Sequence, residues 1–111
     1  MISGAARAEA ALLLIDALEG VKEQSKKHGY LLSLLGVRQF AVVVNKMDLV
    51  GYRQDGFDGI EKEYREFLGQ FKAVPAQFIP VSAKLGDNIA NRSQHMSWYS
   101  GTTVLDTLSA F

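Results

Sequence analysis

Cysteine is absent from this sequence of 111 residues. Without cysteine the chain can form neither a disulfide framework nor a metal site with thiolate ligands. This composition fits a reducing compartment, so we expect a cytoplasmic protein. A chain of this length is one domain or part of one, and it is long enough to bury a core without cross-links.

Net charge and long apolar runs are also lacking. Twelve basic and twelve acidic residues cancel, so the overall charge predicts no binding to nucleic acid or to an anionic membrane. The longest apolar run covers residues 10–15, which is far too short to span a bilayer. The first residues contain no basic segment followed by an apolar one, so we expect no signal peptide. We therefore expect neither a nucleic-acid partner nor a membrane partner.

Three apolar segments alternate with three segments of helical character. The predicted strands cover residues 10–15, 38–44 and 77–81, and the predicted helices cover residues 21–35, 57–71 and 102–110. Residues 49–59 and 85–101 are predicted to be loops, because turn-forming and polar residues dominate them. The order βαβαβα predicts an α/β fold of three layers, in which helices cover a parallel sheet with right-handed crossovers. Pro80 predicts that the third strand lies at a sheet edge or ends there.

A polar segment follows the second predicted strand directly. Residues 40–44 form an apolar, valine-rich run that is typical of a strand buried on both faces. Asn45, Lys46 and Asp48 follow at its carboxyl end, where open α/β sheets bind ligands. We interpret Asn45 as an organiser of its loop. Polar residues after a strand usually just begin a loop, and so short a motif is weak evidence alone. A second polar segment, residues 82–84, follows the third strand and would lie at the same edge.

Together the two segments supply what a guanine base requires. The Asp48 carboxylate can accept parallel hydrogen bonds from the N1–H and the 2-amino group of guanine, whereas adenine offers no such pair of donors. Ser82 can donate a hydrogen bond to Asp48 and fix its rotamer. Ala83 offers a backbone N–H to the 6-oxo group of the base. The stems of Lys46 and Lys84 can cover the two faces of the ring.

The motifs Asn-Lys-Met-Asp at residues 45–48 and Ser-Ala-Lys at residues 82–84 resemble the two guanine-recognition motifs of P-loop GTPases. Residues 1–6, 86–88 and 96–101 extend the likeness to GTPases of the translation-factor class, such as elongation factors of the Tu and 1-alpha kinds. The resemblance covers essentially the whole chain. It implies the fold of the C-terminal half of a GTP-binding (G) domain, with GTP or GDP as the ligand of the parent protein.

Within this class, His28 and residues 34–36 and 52–71 make the chain most similar to the GTPase subunit of sulfate adenylyltransferase. In that family, GTP hydrolysis drives the formation of adenylyl sulfate from ATP and sulfate. The resemblance implies a parent that pairs with the catalytic subunit of that enzyme. A translation GTPase of the elongation factor 1-alpha or Tu kind is the alternative parent. Ser97 and Thr102 stand where these families usually have proline. The loss of these prolines should loosen the loop slightly.

The phosphate-binding motif Gly-x-x-x-x-Gly-Lys-Ser/Thr is missing from the sequence. The chain therefore offers no phosphate cradle, no P-loop lysine and no hydroxyl for Mg²⁺. By the resemblance, residues 1–111 are a partial GTP-binding domain that lacks the P-loop and the switch regions. We expect the chain alone to bind guanine nucleotide weakly or not at all, and to be inactive as an enzyme. The strand at residues 10–15 would have a bare edge, so we expect self-association there.

Two other interpretations of the sequence stay open. One is a complete small flavodoxin-like protein in which the two motifs are coincidental. The other is an interaction module that keeps the fold of a G domain and has lost nucleotide binding. Calorimetry with GDP, ADP and guanosine distinguishes the module from a base-binding domain.

Overall fold

The computed structural model describes residues 10–36, 39–71, 75 and 77–110. Strands alternate with helices along this part of the chain, and the predicted α/β fold with three parallel strands is confirmed. The strands are β1 (Ala10–Asp16), β2 (Gln39–Asn45) and β3 (Gln77–Pro80). The helices are α1 (Glu23–Leu35), a 3-10 helix (Met47–Val50), α2 (Gln54–Gly69) and α3 (Val104–Ala110). Residues 1–9, 38 and 111, which carry parts of the sequence predictions, lie outside the described residues.

The strands form one parallel sheet in the order β1-β2-β3. Asp16 pairs in register with Asn45, and Val44 pairs with Pro80. All three strands therefore end at the same edge of the sheet. Pro80 is the last residue of β3, which is an outer strand of this sheet. That position suits a residue that has no N–H to donate to a neighbouring strand.

Helix α2 begins at Gln54 rather than at residue 57. The 3-10 helix also lies partly inside the loop predicted over residues 49–59, so that loop prediction is wrong over most of its length. The reason is burial, because Phe57 and Ile60 are only 4% and 9% exposed and lie on the inner face of the helix. Their packing outweighs the weak helix propensity of Gly56 and Gly59.

The other two helices begin later in the chain than predicted. Helix α1 begins at Glu23 rather than at residue 21, and α3 begins at Val104 rather than at residue 102. At α3 the Thr103 hydroxyl accepts the N–H of Asp106 over 3.2 Å. Thr103 therefore caps the N-terminus of α3 with its side chain.

The core lies between β2 and the helices α1 and α2. All of residues 40–44 are buried, as a strand covered on both faces requires. From α2, Tyr64 and Leu68 are fully buried one helical turn apart. Gly29 of α1 packs against them, and the Tyr64 hydroxyl donates to the Ser25 carbonyl over 2.6 Å. These contacts join α1 to α2 and fix both helices over the sheet.

Several leucines on the outer surfaces are unusually exposed. Leu14 of β1 is 65% exposed, although its neighbours Leu13 and Ile15 are buried. Five leucines of α1 and α3 are also about half exposed or more: Leu31, Leu34, Leu35, Leu105 and Leu108. Apolar surface of this kind is typical of a face that contacts another chain or segment. None of the described helices is long and apolar enough to cross a membrane, and the cytoplasmic location expected from the sequence stays a prediction.

Candidate functional site

The two polar segments predicted to bind a ligand lie side by side at the carboxyl edge of the sheet. We call residues 45–48 and 82–84 the rim. The N–H of Met47 donates to the carbonyl of Val81 over 3.0 Å. This main-chain bond joins the loop after β2 to the loop after β3. The rim is thus a single surface built from segments that are distant in the sequence.

Ser82 fixes the orientation of the Asp48 side chain. Its hydroxyl donates to Asp48 Oδ1 over 2.9 Å and accepts the N–H of Leu85 over 3.3 Å. Ser82 is fully buried, whereas Asp48 is partly exposed. Each carboxylate oxygen has two lone pairs, so Oδ1 can accept a further hydrogen bond beside the one from Ser82. The hydrogen bond that the sequence predicts between these two residues is present, and it leaves Asp48 able to bind a ligand with two adjacent donors.

Asn45 organises the turn that follows β2. Its Oδ1 accepts the N–H of Lys46 over 2.7 Å and the N–H of Ala83 over 2.9 Å. The Lys46 backbone lies in the left-handed region, with φ of 68°, which is unfavourable for a residue that has a Cβ. The bonds to Asn45 stabilise this conformation and add a link between the two loops. The Ala83 N–H, which the sequence assigns to the 6-oxo group of a base, is bonded to Asn45 in this structure.

Lys46 reaches across the ends of β1 and β2 to Asp16. Its Nζ lies 2.8 Å from Asp16 Oδ2. The hydrogen bond from Lys46 is the main reason that the pKa of the Asp16 carboxyl is lowered, and the same bond raises the pKa of the Lys46 ammonium. Sequence reasoning missed Asp16, although it ends β1 at the same sheet edge where Asn45 ends β2. Lys84, on the opposite side of the rim, is exposed.

A buried carboxylate, Asp87, adjoins the rim. It is only 9% exposed. Tyr52 Oη donates to its Oδ2 over 3.0 Å, Ser93 Oγ donates to its Oδ1 over 2.8 Å, and His95 Nδ1 lies 3.3 Å from Oδ1. Burial acts to raise the pKa of Asp87, but the hydrogen bonds outweigh burial and leave that pKa below its usual value. We call these four residues the Asp87 cluster. Sequence reasoning missed the cluster because its members share no spacing or motif.

Two of the clefts outside the rim adjoin a strand of the sheet. One, of about 260 Å³, lies between α2, β3 and the loop before α3, and its lining includes Phe57, Phe78 and Trp98. The other, of about 250 Å³, lies where β1 meets α1, and its lining includes Asp16 and His28. Among residues 10–36, 39–71, 75 and 77–110, no group of three or more acidic or histidine side chains is placed to hold a metal ion.

Comparison with known proteins gives the family. The profile described as the elongation factor Tu GTP binding domain matches residues 1–110. The chain is 46% identical, over 110 residues, to the sulfate adenylyltransferase subunit 1 of Aeromonas salmonicida (strain A449), which covers 99% of this chain and 23% of that protein. It is also 46% identical, over 109 residues, to the protein of the same name from Photorhabdus laumondii subsp. laumondii, with 97% of this chain and 23% of that protein covered.

The solved structures agree with the sequence relatives. The chain superposes on sup35 complexed with GMPPNP with a TM-score of 0.80 and 26% identity, which covers 94% of this chain and 29% of that chain. The chain thus spans about a quarter of the length of the relatives that it matches. The resemblance to translation-factor GTPases that the sequence motifs predict is confirmed. This chain belongs to the family of the elongation factor Tu GTP binding domain.

Proposed function

We propose that this chain is the guanine-recognition part of a GTPase domain and that Asp48 selects the base. The main support for this proposal is the geometry of Asp48, whose carboxylate accepts a hydrogen bond from the buried Ser82 hydroxyl where the loops after β2 and β3 meet. Its two oxygens accept hydrogen bonds from the N1–H and the 2-amino group of guanine. Adenine has no such neighbouring donors, so it would desolvate the carboxylate without replacing its bonds to water.

The other rim residues complete the base site in this proposal. The exposed side chains of Lys46 and Lys84 cover the ring faces with their alkyl stems, as long charged side chains cover apolar surface. The Ala83 N–H serves the 6-oxo group by sharing its hydrogen between that oxygen and Asn45 Oδ1, in the manner of a three-centre hydrogen bond. Asn45 contributes by holding the two loops together.

We propose that phosphate binding and hydrolysis need residues other than these. The sequence contains no Gly-x-x-x-x-Gly-Lys-Ser/Thr motif. In the described part of the chain, no cluster of acidic or histidine side chains is placed for a metal ion. Without the Ser/Thr hydroxyl of the Gly-x-x-x-x-Gly-Lys-Ser/Thr motif, the chain offers no P-loop ligand for Mg²⁺. The chain alone is expected to bind GTP or GDP through the base only, with a dissociation constant of about 1 mM or weaker, and to hydrolyse neither.

A titration followed by NMR tests base recognition. The isotopically labelled chain is titrated with guanosine and GDP, and in parallel with adenosine and ADP. We expect amide shifts at Asp48, Ser82 and Ala83 with the guanine compounds and none with the adenine compounds. A control variant, Asp106→Asn on the exposed side of α3, should bind in the same way as the unchanged chain. Equal shifts with guanosine and adenosine, or shifts that avoid the rim, would contradict the proposal.

For the whole protein, we propose the GTP-hydrolysing subunit of sulfate adenylyltransferase, which drives adenylyl sulfate formation and pairs with a catalytic subunit. The 46% identity to two proteins named sulfate adenylyltransferase subunit 1 supports this parent. A translation GTPase is the second candidate, which the family match and the likeness to sup35 favour.

A chimera distinguishes these two parents. The chain replaces the matching segment of subunit 1 from Aeromonas salmonicida in a strain that lacks this subunit and is grown on sulfate as its only sulfur source. A sulfate-activation parent predicts growth, and the same chimera with Asp48→Ala should not support it. A folded chimera that fails to restore growth would favour the translation parent.

We also propose that the chain self-associates through β1. In the described sheet β1 pairs only with β2, and its Leu14 is 65% exposed. An apolar strand with an open edge is a template for pairing with another chain. Sedimentation velocity should detect a dimer, and Leu14→Lys should shift the population toward monomer, whereas Leu105→Lys on α3 should not. A strictly monomeric species at all concentrations would contradict this proposal.

A further inference from the structure

The Asp87 cluster is connected to the loop that carries Asp48. Tyr52 follows the 3-10 helix on which Asp48 lies, and its N–H donates to the Met47 carbonyl over 2.8 Å. The hydroxyl of the same residue donates to Asp87 Oδ2 over 3.0 Å. One tyrosine therefore holds the 3-10 helix through its backbone and Asp87 through its side chain.

Asp87 is in turn connected to the loop that carries Ser82. The N–H of Ser82 donates to the Asp87 carbonyl over 3.3 Å, and the N–H of Asp87 donates to the Ser82 carbonyl over 3.0 Å. Ser82 is the residue whose hydroxyl holds Asp48. A closed ring of hydrogen bonds therefore runs from Asp48 through Ser82, Asp87 and Tyr52 and returns along the 3-10 helix.

His95 and Trp98 also hold Tyr52. It stacks on the His95 ring, with the two centroids 4.6 Å apart and the planes inclined by 19°. The indole N–H of Trp98 donates to the Tyr52 carbonyl over 3.1 Å. Tyr52 has an unfavourable positive φ of 58°, so these contacts stabilise a conformation that the backbone alone disfavours.

We propose that Asp87 is a positioning residue for base recognition, whose carboxylate clamps Tyr52 and thereby keeps the Asp48 loop in register with Ser82. The consequence for guanine rests on the proposed function, whereas the clamp itself does not. A carboxylate is required because donors from Tyr52, Ser93 and His95 approach both of its oxygens. An amide offers one acceptor oxygen and would direct N–H groups at one of these donors.

A general contribution to stability is the competing explanation for the cluster. If Asp87 only stabilised the fold, then weakening its bonds would lower protection against hydrogen exchange evenly across the sheet. A clamp predicts a local effect, because local opening exposes only the amides that depend on the broken contact. The amides of Met47 and Ser82 report on the two loops, and the amides of residues 41–44 in β2 report on the whole sheet.

Amide hydrogen exchange on the full chain, with Tyr52→Phe as the variant, separates the two explanations. This variant removes one hydroxyl and keeps the stacked ring. We expect exchange at Met47 and Ser82 to accelerate about five- to tenfold, as the loss of one hydrogen bond implies, while residues 41–44 stay unchanged. Tyr30→Phe is the matched control, because the Tyr30 ring packs on Phe71 away from the rim, and it should change neither set. Equal acceleration in both sets, or none at the rim, would overturn the proposal.

A second experiment measures how the clamp affects the affinity for guanosine. Tyr52→Phe should weaken guanosine binding about fivefold, and this loss should largely vanish in a Ser82→Ala background, because the clamp acts on Asp48 through Ser82. Additive effects of the two substitutions would overturn the positioning role. If guanosine and adenosine shift the amides of the unchanged chain equally, the proposed function fails, and the exchange measurement alone decides whether the clamp exists.

Discussion

Replacing Asp48 by asparagine tests the chemistry of base recognition most directly. In Asp48→Asn the side-chain oxygen keeps its hydrogen bond from Ser82. The new amide nitrogen then takes the place of the other carboxylate oxygen, so that a donor replaces an acceptor opposite position 2 of the base. Guanine presents a 2-amino donor there and loses its partner. Xanthine presents a 2-oxo acceptor and gains one.

The size of the effect follows from the bonds that change. A hydrogen bond to a charged group contributes about 1.5–3 kcal/mol, and the lower value applies because Asp48 is partly exposed. The variant loses the bond to the 2-amino group and the charge behind the bond to N1–H. Together these amount to about 2–3 kcal/mol, which is about 30- to 150-fold in guanosine affinity. Xanthosine should become the better ligand by a similar order.

The assay compares NMR titrations of the unchanged chain and of Asp48→Asn with guanosine and xanthosine. Asp55→Asn is the control, because Asp55 is an exposed aspartate paired with Arg53 at the start of α2, outside the rim. It should leave the preference for guanosine intact. A folded Asp48→Asn chain that still prefers guanosine would refute the proposed pairing between Asp48 and the base.

Three further predictions concern the framework that holds the rim. Gly29→Ala should lower the free energy of unfolding by about 2 kcal/mol in urea titrations, because the added methyl carbon would lie 2.7 Å from Tyr64 Oη and 2.8 Å from Leu68 Cδ2. Gly59→Ala, in open surroundings within α2, should raise the free energy of unfolding by up to about 1 kcal/mol. Equal effects of the Gly29 and Gly59 variants would contradict the close packing of Gly29. Burial raises the pKa of Tyr64 from 10.0 to about 12. The stability that the neutral Tyr64 hydroxyl contributes should therefore be fully present below pH 10.0 and be lost as the pH rises through about 12. If Tyr64→Phe leaves the dependence of the free energy of unfolding on pH unchanged in this range, the prediction is wrong. The pKa of Asp16 is lowered from 3.8 in the folded chain. Its contribution to the free energy of unfolding is therefore fully present above pH 3.8 and is lost as the pH falls through the lowered pKa. In acid unfolding experiments, Asp16→Asn should make the stability depend less steeply on pH below 3.8.

The architecture could be predicted because its signals are local and periodic. Residues 40–44 are apolar without interruption, and they form the central strand with both faces covered. The recurrence of Ile60, Tyr64 and Leu68 places these side chains on the buried face of α2. The start of α2 could not be predicted in the same way. Its first turns contain two glycines, and that segment is helical because Phe57 and Ile60 are buried in the tertiary structure.

The rim could be predicted because parallel strands end at one edge of a sheet, which brings residues 45–48 and 82–84 together. The ion pair between Lys46 and Asp16 follows from the same argument extended to β1. The Asp87 cluster does not follow from it. Its contacts depend on how residues 93–98 fold back over the 3-10 helix, and that path is set by single side-chain contacts with no periodicity or fixed spacing to reveal it.

Hydrogen bonds tie the two segments of the rim together, whereas Leu14 of β1 is open to solvent. The Ser82–Asp48 and Ala83–Asn45 hydrogen bonds join the loops after β2 and β3 and fix them to each other. In β1, by contrast, Leu14 is 65% exposed. Base preference should therefore be a property of this chain, whereas nucleotide affinity should depend on whatever covers β1 and binds the phosphates. Adding a phosphate-binding segment should raise the affinities for guanosine diphosphate and xanthosine diphosphate by the same factor and leave their ratio unchanged.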